Sequence, residues 1–133
     1  EHSRLELKNK LTDKGYHPKD ISEAIDEFSL KDIQSDIRFT EEFIRSRLKK
    51  NKGPQLILSE LITRGIADNI IQKKISEISY QEWCKAAFLA LNKKLNGSSV
   101  SIEHKDKIYS FLISRGFEHK MIKYAIDEQK DEC

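Results

Sequence analysis

The stretch that decides the fold covers residues 35–66 and reads SDIRFTEEFIRSRLKKNKGPQLILSELITRGI. Its last six residues, LITRGI at 61–66, match LTDKGY at 11–16 and LISRGF at 112–117. The glycines of these three segments are 50 and 51 residues apart. A fixed period near 50 residues is typical of a repeat architecture, in which each repeat is one small structural unit.

Apolar residues recur at fixed distances from the three glycines. They stand eight residues before the glycine (Leu7, Ile57, Ile108), six after it (Ile21, Ile71, Ile122) and ten after it (Ile25, Ile75, Ile126). Spacings of four place such residues on one face of a helix. Each glycine follows a basic residue, which is typical of a helix C-terminus with glycine in the left-handed conformation. Each unit therefore contains a helix, a glycine stop and a second helix.

Longer helical patterns lie between these helix pairs, at about residues 36–50 and 80–95. We expect Tyr80 to lie on the apolar face of the second one. Adding these helices predicts an all-α fold of tandem three-helix repeats. Repeat 1 covers residues 1–35 and lacks its first helix, which suggests truncation at the N-terminus. Repeat 2 covers residues 36–79, and repeat 3 covers residues 80–133 and ends in an acidic tail.

Two junctions carry specific expectations. Residues 29–35 are predicted to form a link, after which Asp36 caps the next helix and Phe39 packs inward. At Gly53 and Pro54, the glycine is predicted to end one helix and the proline to begin the next. Both junctions therefore have a structural explanation that requires no functional role.

Composition limits the class of protein. Of the 133 residues, 38% are hydrophobic and 35% are charged, which favours small helical units with solvated outer faces. No apolar run approaches the roughly 18 residues that a membrane span requires, so we expect no membrane association. Two distant cysteines without a CxxC pair predict a reducing, cytoplasmic setting.

Catalytic and metal-binding signals are weak. The four histidines are scattered without metal-ligand spacing, and the five glycines form no phosphate-binding loop. Adjacent carboxylates such as Glu41 and Glu42 point about 100° apart on a helix, so they form no catalytic pair. We therefore predict no catalytic residue, no metal site and no cofactor.

The net charge of +2 arises in the middle of the chain. Residues 36–74 hold nine basic and five acidic residues, whereas residues 1–35 have an excess of two acidic residues and residues 75–133 are balanced. A basic helix end can be a solvated surface with favourable C-terminal cations. Alternatively, it can bind an acidic protein surface or a phosphate backbone. The spacing of Arg38, Arg45, Lys49 and Lys52 predicts that they lie near one another.

The candidate partner-binding or DNA-binding residues follow from this cluster. Arg64 and Arg115 are the weaker candidates, because each can serve simply as a cation at a helix end. The full set is Arg38, Arg45, Arg47, Lys49, Lys50, Lys52, Arg64 and Arg115.

Part of this pattern resembles the signature of the RecX family. The matching residues are DxRF at 36–39, RxR at 45–47 and GPxxIxxELxxRGI at 53–66. Residues 1–16 resemble the first motif of the family, and the likeness extends loosely over the rest of the chain. Thr40 departs from the pattern, because the family usually has a small alanine there.

The resemblance implies a regulator of the RecA recombinase, with roles in DNA repair, recombination and the SOS response. Members of the family bind the RecA filament on single-stranded DNA and limit its extension, ATP hydrolysis, strand exchange and coprotease activity. It also implies an elongated, curved array and no catalysis. We expect a monomer, with direct DNA contact as a second expectation. Two alternatives stay open: a stand-alone DNA-binding protein acting through helix 38–52, and a small enzyme with a site assembled across repeats.

Overall fold

The computed structural model describes residues 4–97 and 104–132, with side chains described for 8–97 and 104–130. Within these ranges the elements are seven α-helices and there is no β-strand. They are α1 (Arg4–Asp13), α2 (Pro18–Lys49), α3 (Pro54–Thr63), α4 (Asp68–Ser76), α5 (Tyr80–Leu95), α6 (Lys105–Ser114) and α7 (His119–Glu132). The predicted all-α class is confirmed, and none of the described helices is long and apolar enough to cross a membrane.

The chain divides into two compact units, Glu1–Phe39 and Thr40–Cys133. The first unit holds α1 and the first part of α2, and its Ile21 and Ile25 are buried. The second unit holds the end of α2 and all of α3 to α7. The side chain of Leu7, a predicted core position, lies outside the described residues.

One helix, α2, occupies the region where two helices and a link at residues 29–35 were predicted. That prediction was wrong because no glycine or proline interrupts the chain after Pro18 until Gly53. The two serines of the predicted link lower helix propensity by only a few tenths of a kcal/mol, roughly, which neighbouring residues readily offset. Asp36 therefore lies inside a helix, and its predicted role as an N-cap is also wrong.

The aromatic residues on α2 differ in burial. Phe43 is buried as predicted, whereas Phe39 is 38% exposed, so its predicted core position is wrong. Tyr80 at the start of α5 is likewise 50% exposed, although Trp83, Cys84 and other residues of the same helix are buried. The helical period of the sequence identified the apolar face of each helix. It could not show which residues of that face a neighbouring helix covers.

The three repeated glycines have the backbone conformation that the sequence predicted. Gly15, Gly65 and Gly116 have φ of +82°, +86° and +98°. The N–H of the next residue donates to the carbonyl five residues earlier: Tyr16 to Leu11, Ile66 to Leu61 and Phe117 to Leu112, at 3.1–3.3 Å. This Schellman motif satisfies a carbonyl that the helix end would otherwise leave unpaired.

The end of α2 uses asparagine in place of glycine. Asn51 has φ of +58°, and the Lys52 N–H donates to the Arg47 carbonyl at 3.0 Å, which reproduces the same capping bond. Gly53 therefore does not end α2, and that part of the prediction was wrong. Pro54 begins α3 as predicted. The requirement for glycine at position 53 has a different origin.

That origin is a close backbone contact between α3 and α6, which we call the glycine clasp (Gly53, Gln55, Arg115 and Gly116). The Gly53 N–H donates to the Arg115 carbonyl at 2.7 Å, and the Gln55 N–H donates to the Gly116 carbonyl at 2.9 Å. The first-turn donors of α3 are thus satisfied by carbonyls at the end of α6, since Gly53 provides no side-chain cap. A Cβ at Gly53 would lie 2.4 Å from the Gly116 carbonyl carbon, and one at Gly116 would lie 2.5 Å from Leu56.

Around this clasp the second unit builds one continuous core. The end of α2 supplies Phe43 and Ile44, and every later helix contributes further buried residues. The apolar side chains of this core with no exposed surface are Ile57, Leu61, Ile71, Ala87, Leu91, Leu112, Ile122 and Ala125. Predicted repeats 2 and 3 therefore share their apolar interior, and the boundaries between repeats remain predictions.

The repeated glycines provide matched variants for testing the clasp. Gly65→Ala meets no neighbour within 4 Å, so it should cost only the left-handed backbone penalty of about 1–2 kcal/mol. Gly116→Ala adds a steric clash to that penalty, so it should cost roughly 1–3 kcal/mol more. Urea unfolding of both variants measures the difference in the free energy of unfolding. Equal losses would show that the tight contact at Gly116 does not constrain the fold.

Candidate functional site

Seven of the eight predicted cations lie in the second unit, where they separate into two groups. Arg38 is exposed on α2 within the first unit. One group faces α5 and the other surrounds the glycine clasp. The helical spacing that grouped Lys52 with Arg45 and Lys49 does not hold, because α2 ends at Lys49 and the left-handed Asn51 redirects the chain. The grouping itself stays a prediction.

The α2–α5 face consists of Arg45, Lys49 and Lys85, all exposed. Together with the carboxylate of Glu82, these three cations border a shallow cavity of about 290 Å³ whose apolar lining includes Leu48 and Leu89. Lys50 is exposed next to Lys49 and lines a neighbouring shallow depression. The face combines accessible positive charge with an apolar floor, which suits an anionic macromolecular surface.

The clasp cluster consists of Lys52 and three charged groups that act on it, Arg47, Arg115 and the carboxylate of Glu60. Arg64 is linked to this cluster only through the Phe43 ring, which it shares with Arg47. Arg47 donates from Nε and Nη2 to Glu60 Oε2, at 3.2 and 3.1 Å. Its guanidinium also lies 4.4 Å from the centroid of the Phe43 ring, and that of Arg64 lies 5.0 Å from the same centroid. These contacts tie the end of α2 to α3, so Arg47 has a structural role.

Lys52 and Arg115 are held differently. Burial lowers the pKa of Lys52, and the positive charge of Arg115 lowers it further, while Glu60 acts in the opposite direction. Arg47 and Lys50 add smaller effects that also lower this pKa. Arg115 is half-buried, and its Nε is buried without a hydrogen-bond partner. Positive charge is therefore concentrated here beyond what Glu60 compensates.

Some basic residues near these groups were absent from the predicted set. Lys94 Nζ lies 5.0 Å from the Phe111 ring centroid, and the Arg115 guanidinium lies 5.4 Å from it. Lys85 joins Arg45 and Lys49 although 36 residues separate it from Lys49. The members of each pair are far apart in the sequence, so only the packing of α5 and α6 shows that they lie close together.

A second basic cavity, of about 260 Å³, lies between α6 and α7. It is bordered by Lys105, Lys123 and Lys130 and contains the hydrogen-bonded pair Tyr109 and His119. The three lysines come from two helices and are spread over 26 residues, so no local run of basic residues predicted this cavity.

Signs of catalysis are weak in the described part of the chain. No group of three or more histidine, cysteine, aspartate or glutamate side chains is placed there to hold a metal ion. Cys84 is buried, and burial raises the pKa of its thiol although a hydrogen bond from Tyr80 acts in the opposite direction. A thiol with a raised pKa is a poor nucleophile.

Comparison with known proteins identifies the family. A family model described as "RecX, second three-helix domain" matches residues 35–75. The regulatory protein RecX of Chromohalobacter salexigens is 33% identical over 126 residues, which cover 95% of this chain and 82% of that protein. The corresponding protein of Legionella pneumophila is 34% identical over 131 residues, which cover 98% and 87%. The chain therefore belongs to the RecX family of regulatory proteins.

A solved structure agrees with this assignment. The crystal structure of RecX from Lactobacillus salivarius matches with a TM-score of 0.71 at 25% sequence identity. The match covers 97% of this chain and 86% of that one. The resemblance based on residues 36–66 is thus confirmed over nearly the whole length of the protein.

The charge balance around Lys52 can be tested by NMR titration of lysine side chains. Arg115→Gln removes a positive charge and should raise the pKa of Lys52, whereas Glu60→Gln removes the compensating charge and should lower it. If both variants leave the pKa of Lys52 where it is, the three side chains do not interact as described.

The same titration has a consequence for stability. The folded-state pKa of Lys52 lies below that of the unfolded chain, so the unfolded chain binds more protons between these two values. The free energy of unfolding should therefore rise as the pH increases through that alkaline window. Arg115→Gln should make this rise smaller, as measured by urea unfolding at a series of pH values.

Proposed function

We propose that this protein is a non-catalytic, cytoplasmic regulator that binds the RecA filament on single-stranded DNA. Binding limits filament extension and thereby ATP hydrolysis, strand exchange, coprotease activity and the SOS response. One observation carries most of the weight: cations concentrate at the end of α2 in a member of a regulatory protein family. The matching region of the third repeat has only Lys93 and Lys94, so the concentration belongs to one repeat rather than to the fold.

The electrostatics of the α2–α5 face support this proposal. A nucleoprotein filament presents phosphates and acidic side chains, which attract exposed cations over about 8–10 Å at physiological ionic strength. Arg45, Lys49 and Lys85 lie at the rim of an apolar depression. Such a surface can add hydrophobic contact at close range after charge has guided the approach.

A regulator of this kind needs no chemistry of its own. A protein bound across neighbouring recombinase subunits stabilises the filament conformation for which it has the higher affinity. The stabilisation equals the difference between its binding free energies for the two conformations. Growth and ATP hydrolysis both require subunits to change position or join. A monomer whose cations contact neighbouring subunits is sufficient for this effect.

The second candidate function is a stand-alone DNA-binding protein acting through helix 38–52. The same cations favour it, because neutralisation of phosphates by lysine and arginine drives binding to DNA. The two functions differ in their affinities. Equal, salt-dependent affinities for naked single-stranded DNA and for the filament would favour the stand-alone function, whereas tighter binding to the filament favours the regulator.

Charge reversal tests the α2–α5 face. Arg45→Glu combined with Lys49→Glu should raise the concentration needed to inhibit filament ATP hydrolysis roughly tenfold or more, because two attractive contacts become repulsive. Both residues are exposed, so the helical content and melting temperature should stay close to those of the parent.

The matched control carries the same change in charge elsewhere. Lys73→Glu combined with Lys107→Glu alters exposed positions on α4 and α6. This variant should inhibit like the parent. Similar inhibition by both double variants would show that the α2–α5 face does not contact the filament.

The stoichiometry of inhibition tests how extension is limited. If the protein blocks growth at filament ends, ATP hydrolysis should fall well before one protein is present per recombinase subunit. The measurement is steady-state ATP hydrolysis by pre-formed and growing filaments at increasing protein concentration. Inhibition of both kinds of filament only near saturation would instead indicate coating of the filament.

A further inference from the structure

We propose that Lys52 and Arg115 form a binding site for one phosphate group of a nucleic-acid backbone, positioned by the glycine clasp. This inference rests on the proposed function, because the filament supplies single-stranded DNA. It goes further in assigning a ligand to the junction of the second and third repeats. It also separates these two side chains from Arg47 and Arg64, whose contacts with Glu60 and Phe43 serve the fold.

The clasp fixes the distance between two residues that are 63 positions apart in sequence. The Gly53 N–H, directly after Lys52, donates to the carbonyl of Arg115 itself at 2.7 Å. The Gln55 N–H donates to the next carbonyl at 2.9 Å, and neither glycine has a side chain that could separate the two backbones. Lys52 and Arg115 are therefore held side by side by main-chain hydrogen bonds and not by their own side chains.

The charged groups that act on Lys52 are mostly positive. Burial is the largest cause of the lowered pKa of Lys52; three cations lower this pKa further, and one carboxylate raises it. The carboxylate oxygen Glu60 Oε2 already accepts both donors of Arg47. Arg115 has a buried Nε without a hydrogen-bond partner. Lys94 adds a further positive charge at the Phe111 ring, which Arg115 also contacts. An anion bound here would relieve the repulsion between Lys52 and Arg115.

The donor geometry favours phosphate over carboxylate. A phosphodiester has oxygens that point in several directions, so one group can accept from a planar guanidinium and from an ammonium that approaches at another angle. A carboxylate has two coplanar oxygens, and the site already contains one such group in Glu60. The half-buried positions of both cations also make their interaction with a phosphate stronger than that of fully exposed lysines.

Binding of fluorescent oligo(dT) at a series of KCl concentrations tests the site without the recombinase. Lys52→Gln combined with Arg115→Gln should lower affinity about three- to tenfold and reduce the slope of log affinity against log salt by roughly 0.7, the value for one phosphate of a single strand. The control, Lys73→Gln combined with Lys107→Gln, loses the same charge at exposed positions and should keep the parental slope. An unchanged slope in the Lys52 and Arg115 variant would overturn the proposal.

Titration of Lys52 in the wild-type protein tests the site without relying on the double variant to fold. In the wild-type protein, oligo(dT) should raise the pKa of Lys52 towards 10.5, its usual value. Arg115→Lys should retain part of the effect, because it keeps the charge but loses the planar fork. No change in the titration of Lys52 on saturation with oligo(dT) would contradict the site.

Filament inhibition by the same double variant distinguishes this inference from the proposed function. Loss of oligo(dT) binding with full inhibition of the recombinase would uphold the phosphate site and refute its use in filament regulation. Parental oligo(dT) binding with loss of inhibition would mean that the two cations meet a carboxylate of the recombinase, which overturns the phosphate assignment.

Discussion

The second unit depends on one backbone contact, in which the first N–H groups of α3 donate to the last carbonyls of α6. Helix ends leave such groups unpaired, and burying them without partners costs free energy. Here two helix ends satisfy each other directly, which requires backbones so close that only glycine fits at positions 53 and 116. The clasp thereby joins the second and third repeats, and their apolar residues merge into one core.

The same contact explains why cations accumulate where they do. Helix C-termini favour basic residues, because the helix dipole is negative there. Lys52 follows the end of α2, and Arg115 caps the end of α6. Joining a helix start to a helix end brings two such regions together. Basic residues that each stabilise a separate helix end therefore lie close together, and Glu60 compensates their positive charge only in part.

Residues with similar positions in the sequence therefore have different roles. Arg47 lies between Arg45 and Lys49 on α2, yet it points to α3 and binds Glu60, whereas its neighbours face α5. Successive helical residues differ by about 100° in direction, so a basic run distributes its charge over several faces. The chain belongs to a family whose relatives are named as regulatory proteins. The α2–α5 face and the clasp cluster are then two separate contact surfaces to test.

The sequence alone determined the all-α class, the glycine-ended helices and the family, because periodicity, left-handed glycines and the 36–66 motif are local properties. It also located the basic stretch of the chain. It could not determine that α2 is continuous, since weak link signals at Ser29 and Ser35 compete with strong helix formers around them. Only the tertiary structure decided which cations lie together. Lys52 with Arg115, and Lys49 with Lys85, are distant in sequence, and their proximity arises from helix packing and the glycine clasp.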